Sequence, residues 1–173
     1  MSETKREFIA VNIAILTVSD SRTQKTDKSG PLLVERASGA GHNVIETQIV
    51  KDEIDEIRMV VSGWISNSGI NVVLTTGGTG VTGRDGSPEA ISPLLDKEIP
   101  GFGEMFRMLS YEKIGTSSLQ SRALAGVANG TYIFVLPGSS GACKDAWDML
   151  IVKQLDYRTL PCNLVELMPR LLE

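Results

Sequence analysis

The chain has 173 residues, of which 42% are hydrophobic and 22% are charged, and these proportions are typical of a globular protein with one domain. A formal net charge of −4 argues against the broad basic surface that binds nucleic acid, and the longest apolar stretches fall short of the roughly 20 residues that span a bilayer. We therefore expect no nucleic acid and no membrane as partners, and because residues 1–10 lack the apolar run of a signal peptide, we expect a cytoplasmic protein.

The first half of the chain alternates between predicted strands and helices. Residues 11–18 form a nearly continuous β-branched run, which predicts a strand buried on both faces, and residues 31–40 then predict a helix that ends at a glycine. A second strand is predicted over Asn43–Val50. A helix follows it, because apolar residues recur at helical spacing from Ile54, and residues 70–76 predict a third strand.

The second half begins with a glycine-rich loop, after which Ser87 is predicted to be the N-cap of a helix whose first residue is Pro88. Residues 98–126 predict a helical but interrupted region, because Met, Phe, Leu and Ala recur at helical spacing and glycines punctuate them. A strand over Thr131–Leu136 and a last long helix over residues 142–155 complete the pattern.

Strands that alternate with helices imply parallel pairing through right-handed crossovers. The sequence therefore predicts an α/β fold of three layers, Rossmann-like, with a mostly parallel sheet. We expect an N-terminal arm over residues 1–10, one domain over 11–160 and a C-terminal tail over 161–173. In such sheets ligands bind outside the carboxyl ends of the strands, so the loops that follow the four predicted strands are where a site should lie.

The loop after the third strand is rich in glycine, with Gly77, Gly78, Gly80 and Gly83 in seven residues. Such a loop lets backbone N–H groups converge on an anion. A dinucleotide site is disfavoured, because the next helix begins only at Ser87–Pro88, and a Walker loop is excluded because its Lys and Ser/Thr are missing. The remaining alternative is that these glycines serve only tight turns.

Carboxylates and hydroxyls follow the predicted strands at the same edge. Asp52 and Asp85 could together hold Mg²⁺ beside a phosphate, although each alone is more often a solvated or capping residue. Ser19 and Asp20 follow the first strand. Residues 137–140 precede the last helix and predict either a phosphate site or only an N-cap.

Histidine and cysteine chemistry is not indicated. The single histidine, His42, lies in a predicted turn away from this edge, which disfavours a Ser-His-Asp hydrolase. With one histidine and two separated cysteines there is no zinc ligand set. We expect Cys143 and Cys162 to be reduced thiols that pack in the interior.

At these residues the sequence resembles the MoaB/Mog family, over most of the chain from about Ile13 to Cys162. Residues 101–107 and 115–122 place it closest to the bacterial MoaB branch. The motifs that carry the resemblance occur in family order and are residues 16–20, 29–30, 76–80 with Asp85, 88–89, 121–123 and 136–139.

The resemblance implies a molybdopterin-binding fold and a place in molybdenum cofactor biosynthesis, with transfer of AMP from ATP to the terminal phosphate of molybdopterin in the presence of Mg²⁺. It implies that Asp52 and Asp85 are catalytic and bind the metal. Gly86–Ser87 replaces the Val-Thr of Mog-like sequences, which keeps a hydroxyl but loosens the loop. The predicted substrate-binding residues are Ser19, Asp20, Gly77, Gly78, Thr79, Gly80, Ser87, Ser121, Arg122, Pro137, Gly138, Ser139 and Ser140. The alternative is a non-catalytic molybdopterin-binding or carrier protein of the same pathway.

Assembly is indicated by residues 102–109, where five large apolar side chains cluster in one short helical stretch. One helix face cannot bury all of them, so part of the stretch should meet another subunit. The resemblance implies a homotrimer or a hexamer, and other enzymes of the cofactor pathway as further partners. The alternative is that the stretch belongs to the ordinary core.

Overall fold

Six strands form one sheet in the order β2-β1-β3-β6-β5-β4 in the computed structural model of the chain, which describes residues 6–173. Residues 1–5 of the predicted N-terminal arm lie outside the described residues. The strands are β1 (Asn12–Val18), β2 (Asn43–Val50), β3 (Val72–Thr76), β4 (Lys97–Glu98), β5 (Leu124–Ala128) and β6 (Thr131–Leu136). The helices are α1 (Ser29–Gly39), α2 (Ile54–Ile65), α3 (Ser87–Ile91), α4 (Pro100–Ile114), α5 (Ser140–Ala146), α6 (Val152–Gln154) and α7 (Leu164–Leu167).

The sheet is mostly parallel, as predicted. β1 pairs in parallel with β2 and with β3, and β3 pairs in parallel with β6. β5 is antiparallel to both β6 and β4. The parallel strands therefore direct their carboxyl ends, and the loops that follow them, to one edge of the sheet.

Helices cover both faces of the sheet, which confirms the three layers. Alternate residues of β1 point to opposite faces: Ile13 and Ile15 pack into a core that contains Leu33 of α1, Phe106 of α4 and Trp147. Ala14 and Leu16 pack into the other core, with residues of α2 and α3 such as Ile57, Val61 and Ile91. The helices of the described residues include none long and apolar enough to cross a membrane.

The prediction of an interrupted helical region over residues 98–126 was wrong at its C-terminal end. The region contains α4 and a 3₁₀ segment over Gly115–Gln120, but it then returns to the sheet as β5. Four of the five residues of β5 are buried, so its sequence lacks the alternation that marks a half-exposed strand. Leucine and alanine are also good helix formers, and here burial in the sheet overrides that preference.

The predicted helix over residues 31–40 is present as α1, which begins earlier, at Ser29. The last long helix also begins earlier than predicted. It starts as α5 at Ser140 and continues through a π-helical segment, Trp147–Ile151, into α6. After it, α7 packs Val165 into the larger core.

Candidate functional site

An open cleft of about 620 Å³ lies at the carboxyl ends of the strands. It is bounded by the loops after β1, β2, β3 and β6, and on one side by α4 and the 3₁₀ segment. The predicted site residues that line it are Ser19, Asp20, Asp52, Gly77, Gly78, Thr79, Gly80, Asp85, Ser121, Pro137, Gly138 and Ser139. Ser87, Arg122 and Ser140 do not belong to its lining.

The glycine-rich loop packs so tightly against its neighbours that two of its glycines cannot be replaced without strain. Gly77 and Gly78 have φ angles of 109° and 64°, in the left-handed region that favours glycine. A Cβ atom at Gly77 would lie 2.1 Å from the carbonyl oxygen of Val18, and one at Gly78 would lie 2.5 Å from the hydroxyl of Ser87. The loop therefore brings its backbone, without side chains, to the floor of the cleft.

Asp52 connects the loop after β2 to the glycine-rich loop. Its carboxylate accepts a hydrogen bond of 2.9 Å from the N–H of Gly86, and its own N–H donates to the Asp20 carboxylate at 3.1 Å. Partial burial raises the pKa of Asp52, and the nearby charges of Asp85 and Asp20 raise it further, against the opposing hydrogen bond from Gly86. Like charges that interact in this way indicate a position at which a cation would be favourable.

Asp85 is held by its own loop. Its carboxylate accepts hydrogen bonds from the Thr82 hydroxyl at 2.6 Å and from the Thr82 N–H at 2.9 Å, and the side-chain bond is the main cause that lowers the pKa of Asp85. Among the described residues no group of three His, Cys, Asp or Glu side chains could hold a metal ion. Two carboxylates still suit Mg²⁺, which keeps several waters and takes its other ligands from substrate phosphates.

Two arginines at the cleft were not among the predicted site residues. Arg22 donates to the Ser29 hydroxyl at 2.6 Å and to the Gly138 carbonyl at 2.8 Å, which joins the loops after β1 and β6. Arg84 pairs with Asp20 and with Glu53, both at 2.9 Å. Both lie in polar loops, where arginine is usually solvated, so no pattern in the sequence distinguishes them.

Three of the predicted site residues make specific contacts within the protein. Ser87 is the first residue of α3 rather than its N-cap, which is Gly86, and its buried hydroxyl donates to the Gly77 carbonyl at 2.8 Å. Ser139 is the N-cap of α5, since its hydroxyl accepts from the Ala142 N–H at 3.2 Å. Arg122 lies beside the glycine-rich loop and donates to its carbonyl groups.

One wall of the cleft comes from a part of the chain to which the sequence assigned no site role. Phe106, Ser110 and Ile114 of α4 line it, together with Ser117 and Gln120 of the 3₁₀ segment. The helix was predicted, but its approach to the cleft depends on the return of the chain through β5. This wall thus adds the exposed apolar side chain of Ile114 to the cleft.

The histidine and cysteine residues lie as follows. His42 is buried at the amino end of β2, where its Nδ1 accepts from the Val11 N–H at 3.3 Å, so it is remote from the cleft, as predicted. Cys143 is buried beneath the cleft, and burial raises its pKa to about 11. The expectation that Cys162 packs in the interior was wrong, because this residue is exposed in the turn-rich tail.

Comparison with known proteins agrees with this architecture. Residues 14–157 match a family described as a probable molybdopterin binding domain. The chain is 56% identical over 163 residues to molybdenum cofactor biosynthesis protein B of Escherichia coli K12, covering 94% of this chain and 96% of that protein. The corresponding protein of Bacillus subtilis is 49% identical over 148 residues, covering 85% of this chain and 87% of that protein.

Solved structures share the fold. A crystal structure of molybdenum cofactor biosynthesis protein B superposes with a TM-score of 0.84 at 48% identity, over 87% of this chain and 94% of that chain. The tungsten cofactor synthesizing protein MoaB from Pyrococcus furiosus superposes with a TM-score of 0.73 at 40% identity, over 82% and 90%. Since the family match and these relatives span most of its length, the chain belongs to the family of probable molybdopterin binding domains.

Proposed function

We propose that the chain acts in molybdenum cofactor biosynthesis by binding molybdopterin in the cleft and transferring AMP to it from Mg-ATP. The observation that carries the proposal is that Asp52 and Asp85 line the same cleft, beside a glycine loop whose backbone forms the cleft floor. Carboxylates and amide groups suit a reaction that depends on positioning and charge neutralisation.

The reaction divides between the two sides of the cleft. An oxygen of the terminal phosphate of molybdopterin attacks the α-phosphorus of ATP, the bond from that phosphorus to the bridging oxygen breaks, and pyrophosphate leaves. Asp52 and Asp85 would hold Mg²⁺, which neutralises phosphate charge when bound. Backbone N–H groups of residues 78–80 would bind phosphate oxygens, as glycine-rich turns do, whereas the Gly77 N–H already donates to the Leu136 carbonyl at 3.0 Å.

The opposite side of the cleft suits the pterin. Arg22 and Ser139 lie in the loops after β1 and β6, where a cation and a hydroxyl can contact the pterin phosphate. Ile114, which is exposed, gives the same side apolar surface for a flat ring. Ser19 and Asp20 complete the rim, and Ser121 lies where the 3₁₀ segment meets the glycine-rich loop.

A second candidate is a molybdopterin-binding or carrier protein without turnover. It is favoured by the contacts of Asp20, whose carboxylate is already engaged by Arg84 and by the Asp52 N–H. Because these contacts already satisfy the Asp20 carboxylate, the cleft could bind a ligand without a reaction. The fold is common to both candidates and does not separate them.

The substitution Asp85→Asn distinguishes the adenylyltransferase from the carrier protein, because it removes a charge at nearly constant shape. We expect AMP transfer from ATP to molybdopterin to fall at least about 100-fold, while molybdopterin binding by calorimetry and the thermal midpoint stay close to those of the wild type. Glu53→Gln, which removes the carboxylate next to Asp52 but outside the lining of the cleft, is the matched control and should retain activity. Wild-type protein that binds molybdopterin but forms no adenylylated product would establish the carrier instead.

We also infer a homo-oligomer, either a trimer or a hexamer built from two trimers, in the cytoplasm, with other enzymes of the cofactor pathway as partners that deliver or receive the pterin. The support for assembly is α4, which buries Phe102 and Phe106 but exposes Met105 and Met108. A contiguous exposed apolar surface is typical of a contact with another subunit.

A further inference from the structure

Arg122 lies just before β5, at the point where the chain returns to the sheet beside the glycine-rich loop. It does not line the cleft. With Glu89 and residues 81–86 it lines a neighbouring depression instead, and its side chain is 31% exposed. Its guanidinium therefore acts on the loop and not directly on a ligand in the cleft.

Arg122 donates hydrogen bonds to both ends of the segment from Gly80 to Asp85. Its Nε donates to the Gly80 carbonyl at 2.7 Å and its Nη2 donates to the Asp85 carbonyl at 2.8 Å. Its backbone N–H donates to the Thr79 carbonyl at 3.2 Å. Nη1 pairs with the carboxylate of Glu89, in the helix that follows the loop.

The segment between these contacts has few other bonds to the rest of the protein, and the Gly86 N–H, which donates to Asp52, holds only its C-terminal end. Val81, Thr82, Gly83 and Arg84 are all exposed, and the Asp85 carboxylate is hydrogen-bonded to Thr82 of the same segment. Those internal bonds fix the shape of the loop but not its place relative to the sheet. Ion pairs from the exposed Arg84 add little, because exposed pairs contribute weakly.

The planar fork of arginine is what these contacts require. Donors on three different nitrogens reach two carbonyl oxygens and one carboxylate at the same time, whereas a lysine ammonium is a single point charge on a flexible stem. Glu89 holds the guanidinium in place from the far side. The charge alone would not reproduce this arrangement.

We propose that Arg122 is a positioning residue that sets the place of the Asp85 carboxylate in the cleft by tying the carbonyl groups of Gly80 and Asp85 to the start of β5. The role in catalysis rests on the proposed function, while the effect on the loop does not. Arg122→Lys separates the geometry from the charge. Glu89→Gln, which leaves the arginine and weakens only its anchor, should give a smaller effect in the same direction.

The first measurement is hydrogen–deuterium exchange of the ligand-free protein. In Arg122→Lys we expect the peptide that covers residues 79–86 to exchange at least about tenfold faster, as a locally opened segment does, with exchange in α2 and β6 unchanged. The matched control is Arg58→Lys, because Arg58 also donates to two main-chain carbonyls, those of Glu89 and Ala90, but to none in the loop. Unchanged exchange in Arg122→Lys would overturn the proposal whether or not the protein adenylylates molybdopterin.

The second measurement is steady-state AMP transfer. A misplacement of about 1 Å can cost about 100-fold in rate, so we expect kcat of Arg122→Lys to fall by about that factor with little change in KM for molybdopterin. A rise in KM at unchanged kcat would show that Arg122 binds substrate and would contradict the positioning role. If wild-type protein transfers no AMP, the proposed function fails and the exchange result alone decides the proposal about Arg122.

Discussion

Gly78 is the residue at which the fold and the candidate site depend most directly on one another. Its φ of 64° is unfavourable for other residues, and a Cβ atom there would lie 2.7 Å from a carboxylate oxygen of Asp52 as well as against Ser87. A side chain at this position must therefore displace a residue of the proposed metal site. The absence of a Cβ atom at Gly78 therefore matters both for stability and for ligand binding.

Gly78→Ala should lower the free energy of unfolding by about 1–3 kcal/mol, because it combines left-handed strain with a clash. Mg-ATP binding should weaken with it, since Asp52 has to move. Gly83→Ala is the control, because a Cβ atom at Gly83 would meet nothing within 4 Å. Urea unfolding at one fixed protein concentration and calorimetry provide the comparison, and equal stability of the two variants would show that the loop adapts.

The residues of the site were predictable to the extent that they depend on where strands end. Asp52 and Asp85 follow strands that the sequence marks clearly, so their convergence follows from a parallel sheet. The contacts of Ser87 and Arg122 were not predictable. Each depends on which main-chain carbonyl comes within reach, and that is decided by tertiary packing and not by local pattern.

At the scale of elements, the prediction succeeded for strands with a β-branched run and failed for β5. The sequence of β5, Leu-Ala-Gly-Val-Ala, has neither the composition nor the alternation of a typical strand. A signal was nonetheless present, because Asn129–Gly130 stands between β5 and β6, and both residues have positive φ angles, 46° and 80°. Asn-Gly between two apolar runs is the strongest short-range indication of a hairpin.

The helix that begins after β6 gives a test of whether Ser139 serves the helix or the ligand. Ser139→Ala removes the N-cap of α5 and should lower the free energy of unfolding by about 1 kcal/mol. Ser139→Asn keeps a capping oxygen and should restore that stability, while changing the group that faces the cleft. If Ser139→Asn also restored full molybdopterin affinity, the residue would be an N-cap only, and its proposed contact with the pterin phosphate would be wrong.

At the scale of the whole molecule, α4 has two apolar sides with different roles. Phe102 and Phe106 are almost fully buried, whereas Met105, Met108 and Tyr111 are each at least half exposed. These three recur every third residue and so follow one side of the helix. The helix therefore joins the core of this chain to a surface that suits a second copy.

Light scattering of the purified protein at micromolar concentration should give a mass of three or six times 18.7 kDa. Met108→Glu should lower that mass, because it places a charge at an apolar contact, while circular dichroism stays unchanged. Met59→Glu is the control, since Met59 is 70% exposed on α2, away from this surface. A wild-type mass of one chain would contradict the proposed assembly.

The β5–β6 hairpin bears on the order in which the chain folds. Parallel strands can pair only after a crossover has formed, which makes their pairing slow, whereas a two-residue turn brings its strands together within microseconds. β6 is also the strand on which β3 pairs, so an early hairpin would offer a template to the parallel half of the sheet. Folding should then run from the C-terminal half of the sheet toward β2, and substitutions in β5 should slow folding, while those in β2 mainly speed unfolding.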